Sequence, residues 1–208
     1  MCDQDTPQEF ADHANSSAVT RRHFMAISAG LSFSSLLAMF PPVANAQAVT
    51  ESEVNISTPD GTADCYFVHP SQGASAAVLV WPDILGLRTA FRAMGKRLAE
   101  NGYAVLVVNP FYRKAKAPVV PEGSQLQAVR DVVFPLMQSL TPEIQFTDAK
   151  AFLAWLDQQP AVDKSKKIGT TGYCMGGPIV MRTAATSDRV GAGASFHGGG
   201  LTTANPDT

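Results

Sequence analysis

Cysteine is scarce in this 208-residue chain: Cys2, Cys65 and Cys174 are the only three, and no Cys-x-x-Cys occurs. That excludes a disulfide framework and a zinc ribbon. Histidine is almost as thin, and none of His13, His23, His69 and His197 stands at His-x-His or His-Glu-x-x-His spacing. No metal site and no resident cofactor is therefore expected. A surplus of either charge is missing too, with 16 Lys+Arg against 18 Asp+Glu, so the electrostatic case for a nucleic-acid partner falls away. A nucleotide loop is also absent, because no Gly-x-x-x-x-Gly-Lys-Ser/Thr occurs and Gly191-Ala192-Gly193 meets Phe196 where a dinucleotide loop needs glycine. Only 16% of residues are charged while 45% are hydrophobic. This is a chain with enough apolar material for one buried core, and too much to be disordered.

Residues 1–46 do not read as part of that core. Arg21-Arg22-His23-Phe24 precedes a soft apolar run, Met25 to Phe40, followed by Pro41-Pro42. The run is too short and too rich in serine for a membrane span, which needs about 20 residues. Ala44-Asn45-Ala46 supplies the small-x-small pattern of a cleavage site. The pair of arginines before a weakly hydrophobic stretch resembles a bacterial twin-arginine signal. That resemblance implies the twin-arginine export machinery as a partner, a periplasmic or secreted protein, and no stable membrane span after cleavage. Removing residues 1–46 leaves equal numbers of basic and acidic residues.

Residues 47–208 alternate short apolar runs with helical patterns. Val54-Asn55-Ile56, the Pro59-Asp60-Gly61 turn and the two-faced segment from Ala63 to Val68 predict an opening antiparallel hairpin. Ala76 to Trp81 and Tyr103 to Val108 are continuous apolar runs, as in strands covered on both faces. Phe91, Met94 and Leu98 recur at helical spacing and stop at Asn101-Gly102. Gln125 to Leu140 has helical spacing interrupted by Pro135, and Thr147 is read as the cap of a helix ending at Gln159-Pro160. Ile168 to Tyr173, Pro178 to Ala185 and Val190 to Phe196 then read as strand, helix and strand. The expected fold is α/β: a mostly parallel sheet behind an antiparallel N-terminal hairpin, with helices on both faces.

The segment that carries chemistry is Gly172-Tyr173-Cys174-Met175-Gly176-Gly177, between a predicted strand and a predicted helix. It is the Gly-x-nucleophile-x-Gly elbow with cysteine in the nucleophile's place. The turn is cramped, so the residues two before and two after the nucleophile must lack colliding side chains; Gly172 and Gly176 meet that need. Such a turn lifts the sulfur above the carboxyl end of the sheet, at the positive end of the next helix, where thiolate is favoured over thiol. The Met175 N–H then points into the same space as half of an oxyanion hole. Cys65, without such a context, is read as a core residue. Arg88, Arg113 and Arg130 could meet a substrate carboxylate, although arginines on loops and helices are ordinary.

GYCMGG together with Trp81-Pro82-Asp83-Ile84-Leu85-Gly86-Leu87-Arg88 resembles the dienelactone hydrolases, α/β-hydrolases with a cysteine nucleophile. The likeness extends to Asn109-Pro110-Phe111-Tyr112 and Ser195-Phe196-His197-Gly198-Gly199. It implies hydrolysis of a small ester or lactone through a thioester acyl-enzyme, with Cys174 as nucleophile and the N–H groups of Ile84 and Met175 as oxyanion hole. Asp83 falls where the family usually carries a glutamate that meets the resting thiol, and the alternative for it is a solvated turn acid.

The fold's order is nucleophile, acid, histidine, and after Cys174 only Asp188, Asp207 and His197 remain. Asp188 falls before a parallel strand, at the sheet end opposite the elbow. His197 falls at a carboxyl end and could border the pocket, but the family places its base later. The expectation is a chain whose last strands are missing and whose cysteine is crippled, retaining the residual catalysis of oxyanion hole and binding. Rival readings are an amidotransferase-like cysteine α/β protein and a non-catalytic fragment or binding domain.

Overall fold

The computed structural model describes residues 46–201. Arg21-Arg22, read as part of an export signal, lie outside the described residues. Among the described residues six strands form one sheet: β1 (Val49–Thr58), β2 (Gly61–Pro70), β3 (Ala77–Trp81), β4 (Ala104–Val108), β5 (Ile168–Tyr173) and β6 (Val190–Phe196), in the order β1-β2-β4-β3-β5-β6. The helices are α1 (Thr89–Glu100), α2 (Leu126–Gln138), α3 (Pro142–Leu156) and α4 (Gly176–Thr186). β1 and β2 pair antiparallel, as does β2 with β4, while β4-β3-β5-β6 are parallel. The expected α/β sheet behind a hairpin is the observed one. β1 is longer than the Val54–Ile56 alternation suggested, because its pairing runs from Val49 opposite Pro70 to Thr58 opposite Gly61.

β2 is buried on both faces, and its two faces feed two cores. Tyr66 and Val68 join Val80, Val105, Val107 and the α1 residues Phe91 and Ala99. Ala63, Cys65 and Phe67 join Leu79, Trp81, Leu106 and Val108 under Phe152 and Leu156 of α3 and Ile179 and Val180 of α4. Helices thus cover both faces, and the apolar runs of β3 and β4 are continuous because neither side of the sheet is wet there. A third cluster forms beyond the sheet. Ile84, Val120 and Val133 are its buried centre, with Val129, Phe134, Met137 and Met175 packed around them. α2 therefore sits over loops at the carboxyl ends of the strands.

Two helix readings change. Thr147 is not a cap but lies inside α3, donating its hydroxyl back to the Glu143 carbonyl. The cap is Thr141, whose Oγ1 accepts from the Ile144 N–H, with Pro142 at the first helical position. A proline there gives up an N–H that has no helical partner and brings its φ ready-made. Pro135 does not break α2, which runs through it to Gln138. It stands in the last turn, where Ser139 N–H closes the helix on the carbonyls of Pro135 and Leu136. Among the described residues no helix is long and apolar enough to cross a membrane.

Candidate active site

β5 ends at Tyr173 and α4 begins at Gly176, leaving Cys174 and Met175 to make the whole turn. Cys174 adopts φ +51°, a left-handed backbone that costs a residue with a Cβ roughly 1–3 kcal/mol. The turn is held from both sides, because Cys174 N–H donates to the Phe196 carbonyl at 3.0 Å and Gly177 N–H donates to the Cys174 carbonyl at 3.0 Å. The flanking glycines have a steric cause. A Cβ on Gly172 would overlap the carbonyl oxygen of Gly176, and one on Gly176 would lie 2.5 Å from the Trp81 oxygen and 2.8 Å from the Pro82 oxygen. The second pair of distances shows more than a tight bend. The start of α4 and the segment leaving β3 are in backbone contact, which sets Ile84 beside the elbow.

Cys174 is half-buried, whereas Cys65 is enclosed in the core and burial pushes its thiol up to about 12. The ring of Tyr173 stacks on Phe196 at 5.0 Å and takes the edge of Phe91 at 5.5 Å, so the strand end beneath the nucleophile is braced on both sides.

The other half of the site is the loop after β3. Ile84 is buried against Val120 and Val133, in the cluster that Met175 also joins. Among the described residues neither the Ile84 nor the Met175 N–H donates to a protein acceptor, whereas the N–H groups of Leu85, Gly86, Cys174 and Gly177 are engaged. Asp83 lies in this loop, but its carboxylate is taken. Arg88 Nη1 reaches Oδ1 at 2.7 Å and Arg88 Nη2 reaches Oδ2 at 2.9 Å, and Leu85 N–H donates to Oδ1 at 2.9 Å. No hydrogen bond joins Asp83 to Cys174 among the described residues, so Asp83 serves the turn and an ion pair and leaves the thiol unheld.

His197 is exposed, at φ +41°, just past the end of β6, and no described residue hydrogen-bonds its ring. Asp188 lies beside Lys167, whose ammonium reaches its carbonyl, at the start of β5. Six strand residues separate it from the elbow, a span of roughly 20 Å. Of the three arginines, Arg88 pairs with Asp83, and Arg113 pairs with Asp60 and Asp148. Arg130 lies over the Phe134 ring at 5.2 Å. Among the described residues no three His, Cys, Asp or Glu side chains gather as a metal site would require.

Cys174 thus stands on a strand-turn-helix bend with a glycine two residues to either side, next to the loop that leaves β3. The model of the dienelactone hydrolase family matches residues 63–208. This chain belongs to the dienelactone hydrolase family. A relative from Methylorubrum extorquens is 26% identical over 192 residues, which is 89% of this chain and 63% of that protein. The carboxymethylenebutenolidase of Pseudomonas putida is 24% identical over 132 residues, covering 64% of this chain and 54% of its own length. Among solved structures, m3DLH superposes with a TM-score of 0.63 at 24% identity, covering 77% of this chain and 63% of that one. This chain thus spans less than two thirds of the length of these relatives. Its sheet, with the hairpin at one edge and the elbow on β5, is the α/β-hydrolase arrangement.

Sequence reasoning missed what fastens the site. Asn109, fully buried, donates to Asp64 and to the Ala115 carbonyl, while its own oxygen accepts from Phe111 N–H. Asp64 also accepts from Ala117 N–H. Further along, Thr89 donates its N–H and hydroxyl to Glu122. These bonds pin the 109–122 segment across the β3 loop and set Val120 on Ile84. Pairings between residues 33 to 53 positions apart leave no local pattern to read.

Proposed function

We propose that this chain hydrolyses carboxylic esters or lactones through Cys174. The sulfur attacks the carbonyl carbon, a C–S bond forms, and the carbonyl π electrons move onto oxygen. The N–H groups of Ile84 and Met175 receive that oxyanion, where preformed donors stabilise charge most. Collapse breaks the C–O bond and expels the alkoxide, which takes a proton; in a lactone the alcohol stays tethered to the acyl group. Water then cleaves the thioester, giving the acid and the free thiol.

The observation that carries this reading is the half-buried Cys174 at φ +51° between Gly172 and Gly176, where the start of α4 meets the β3 loop. Family membership and relatives named carboxymethylenebutenolidase support the ester or lactone class. No histidine hydrogen-bonds Cys174 among the described residues, so we propose that the 208-residue polypeptide acylates slowly for an enzyme and deacylates more slowly still. p-Nitrophenyl acetate tests this. A burst of about one nitrophenolate per chain that disappears in Cys174→Ala, followed by slow turnover, is the expected result. An undiminished burst in Cys174→Ala contradicts the nucleophile. Fast, Cys174-dependent steady turnover contradicts the slow second step.

We also propose export by the twin-arginine route and work in the periplasm or outside the cell, resting on Arg21-Arg22 and Ala44-Asn45-Ala46.

A further inference from the structure

The loop from Asp83 to Arg88 is closed around one guanidinium. Arg88 Nη1 donates to Asp83 Oδ1 at 2.7 Å and to the Gly86 carbonyl at 3.2 Å, and Nη2 donates to Asp83 Oδ2 at 2.9 Å. The carboxylate so held turns its Oδ1 to the Leu85 N–H at 2.9 Å, and Gly86 N–H closes the turn on the Asp83 carbonyl at 2.9 Å. The Leu85 and Gly86 N–H groups are thereby engaged, while the Ile84 N–H is left with no protein acceptor among the described residues. The same guanidinium lies 5.0 Å from the centre of the Phe91 ring, whose edge meets Tyr173, the residue before the nucleophile. One side chain thus ties the loop to itself and to the strand end beneath Cys174.

We propose that Asp83 and Arg88 are positioning residues that hold the Ile84 N–H in line with an oxyanion formed at Cys174. The inference rests on the ester-hydrolase reading and deepens it. It assigns the carboxylate after Pro82 to the geometry of the oxyanion donor, through Leu85 N–H and Arg88. The ion pair is bidentate, its side chains are 18% and 23% exposed, and it fixes orientation as well as position. An oxyanion donor works through preorganisation, and losing one outright costs about 100- to 1000-fold in rate. A loosened donor is expected to cost about tenfold or more.

The test compares two reactions of the same sulfur in the full chain. Acylation by p-nitrophenyl acetate develops an oxyanion; alkylation by iodoacetamide displaces iodide at a saturated carbon and develops none. Asp83→Ala and Arg88→Met should slow the acylation burst about tenfold or more and leave the alkylation rate of Cys174 within about twofold. Asp83→Asn, whose oxygen can still accept from Leu85 N–H and one Arg88 nitrogen but whose NH2 cannot accept from the other, should recover part of the lost acylation. Unchanged acylation in Asp83→Ala and Arg88→Met overturns the proposal. So does a parallel fall of both reactions, which would place the effect on the thiol or the fold. A wild-type burst no larger than that of Cys174→Ala refutes the ester-hydrolase reading itself and the inference with it. A normal wild-type burst with indifferent variants refutes the inference alone.

Discussion

Replacing Gly176 by alanine sets two physical effects against each other. Gly176 is the first residue of α4, and glycine in a helix is about 1 kcal/mol worse than alanine. Propensity alone therefore predicts stabilisation. The added Cβ would sit 2.5 Å from the Trp81 oxygen and 2.8 Å from the Pro82 oxygen, both backbone atoms that cannot rotate away. To reach the 3.4 Å where ordinary contact begins, the elbow and the β3 loop must part by about 0.9 Å. Overpacking of this kind costs about 1–3 kcal/mol or more, so sterics outweigh propensity and the variant loses stability. The same parting carries Ile84 away from Cys174, and a misplacement of about 1 Å in a catalytic group can cost about 100-fold in rate. Urea denaturation read by circular dichroism gives the stability, and the p-nitrophenyl acetate burst gives the acylation rate. A Gly176→Ala chain as stable as wild type and acylating normally would refute the contact between elbow and loop.

Other perturbations probe separate parts of the account. Iodoacetamide at pH 8 should label Cys174 in the native chain and leave Cys65 untouched until urea is added, because burial pushes the Cys65 thiol up to about 12; peptide mapping decides it, and native labelling of Cys65 would contradict its burial. Arg113→Met leaves Asp148, only 2% exposed, without its cation and should cost about 3 kcal/mol in urea denaturation; a loss under about 1 kcal/mol would show that the pair is not structural. The Lys96 ammonium and then the Tyr66 hydroxyl hold the Glu51 carboxyl below its ordinary 4.5, so its share of stability is present above that pH and is lost as pH falls through the lowered value. Glu51→Gln should flatten that part of the acid limb, modestly and less so in high salt because the pair is exposed; an unchanged limb at low salt would argue against the interaction. Lysines in place of Arg21 and Arg22 should retain the precursor in the cytoplasm, read by cell fractionation; unaffected export would contradict the twin-arginine reading.

Much of the fold was open to reading because its signals are local. Ala104 to Val108 is an unbroken apolar run since both faces of β4 are covered, and Gly172 and Gly176 stand where backbone oxygens leave no room for a Cβ. The start of α3 also carries a local signal, ahead of the Thr147 position. Thr141-Pro142-Glu143 carries a cap, a proline at the first helical position and an acid in the first turn, while the continuously buried apolar face begins only at Ala149. Asp148, one residue before that face, is buried because Arg113 and Tyr112 reach it from the β4 side, which no spacing along α3 announces. The same holds for Asp83. Its place in the chain suggested contact with the thiol, whereas Arg88, five residues on, takes both its oxygens.

The central claim, that Cys174 is the atom that accepts the acyl group, is tested most directly by trapping it. The full chain is mixed with p-nitrophenyl acetate, quenched in acid within the burst, digested and mapped by mass spectrometry. The account predicts one acetyl group on the peptide carrying Cys174, removable by hydroxylamine and absent from Cys174→Ala. An acetyl group carried elsewhere, with the Cys174 peptide unmodified, would contradict it.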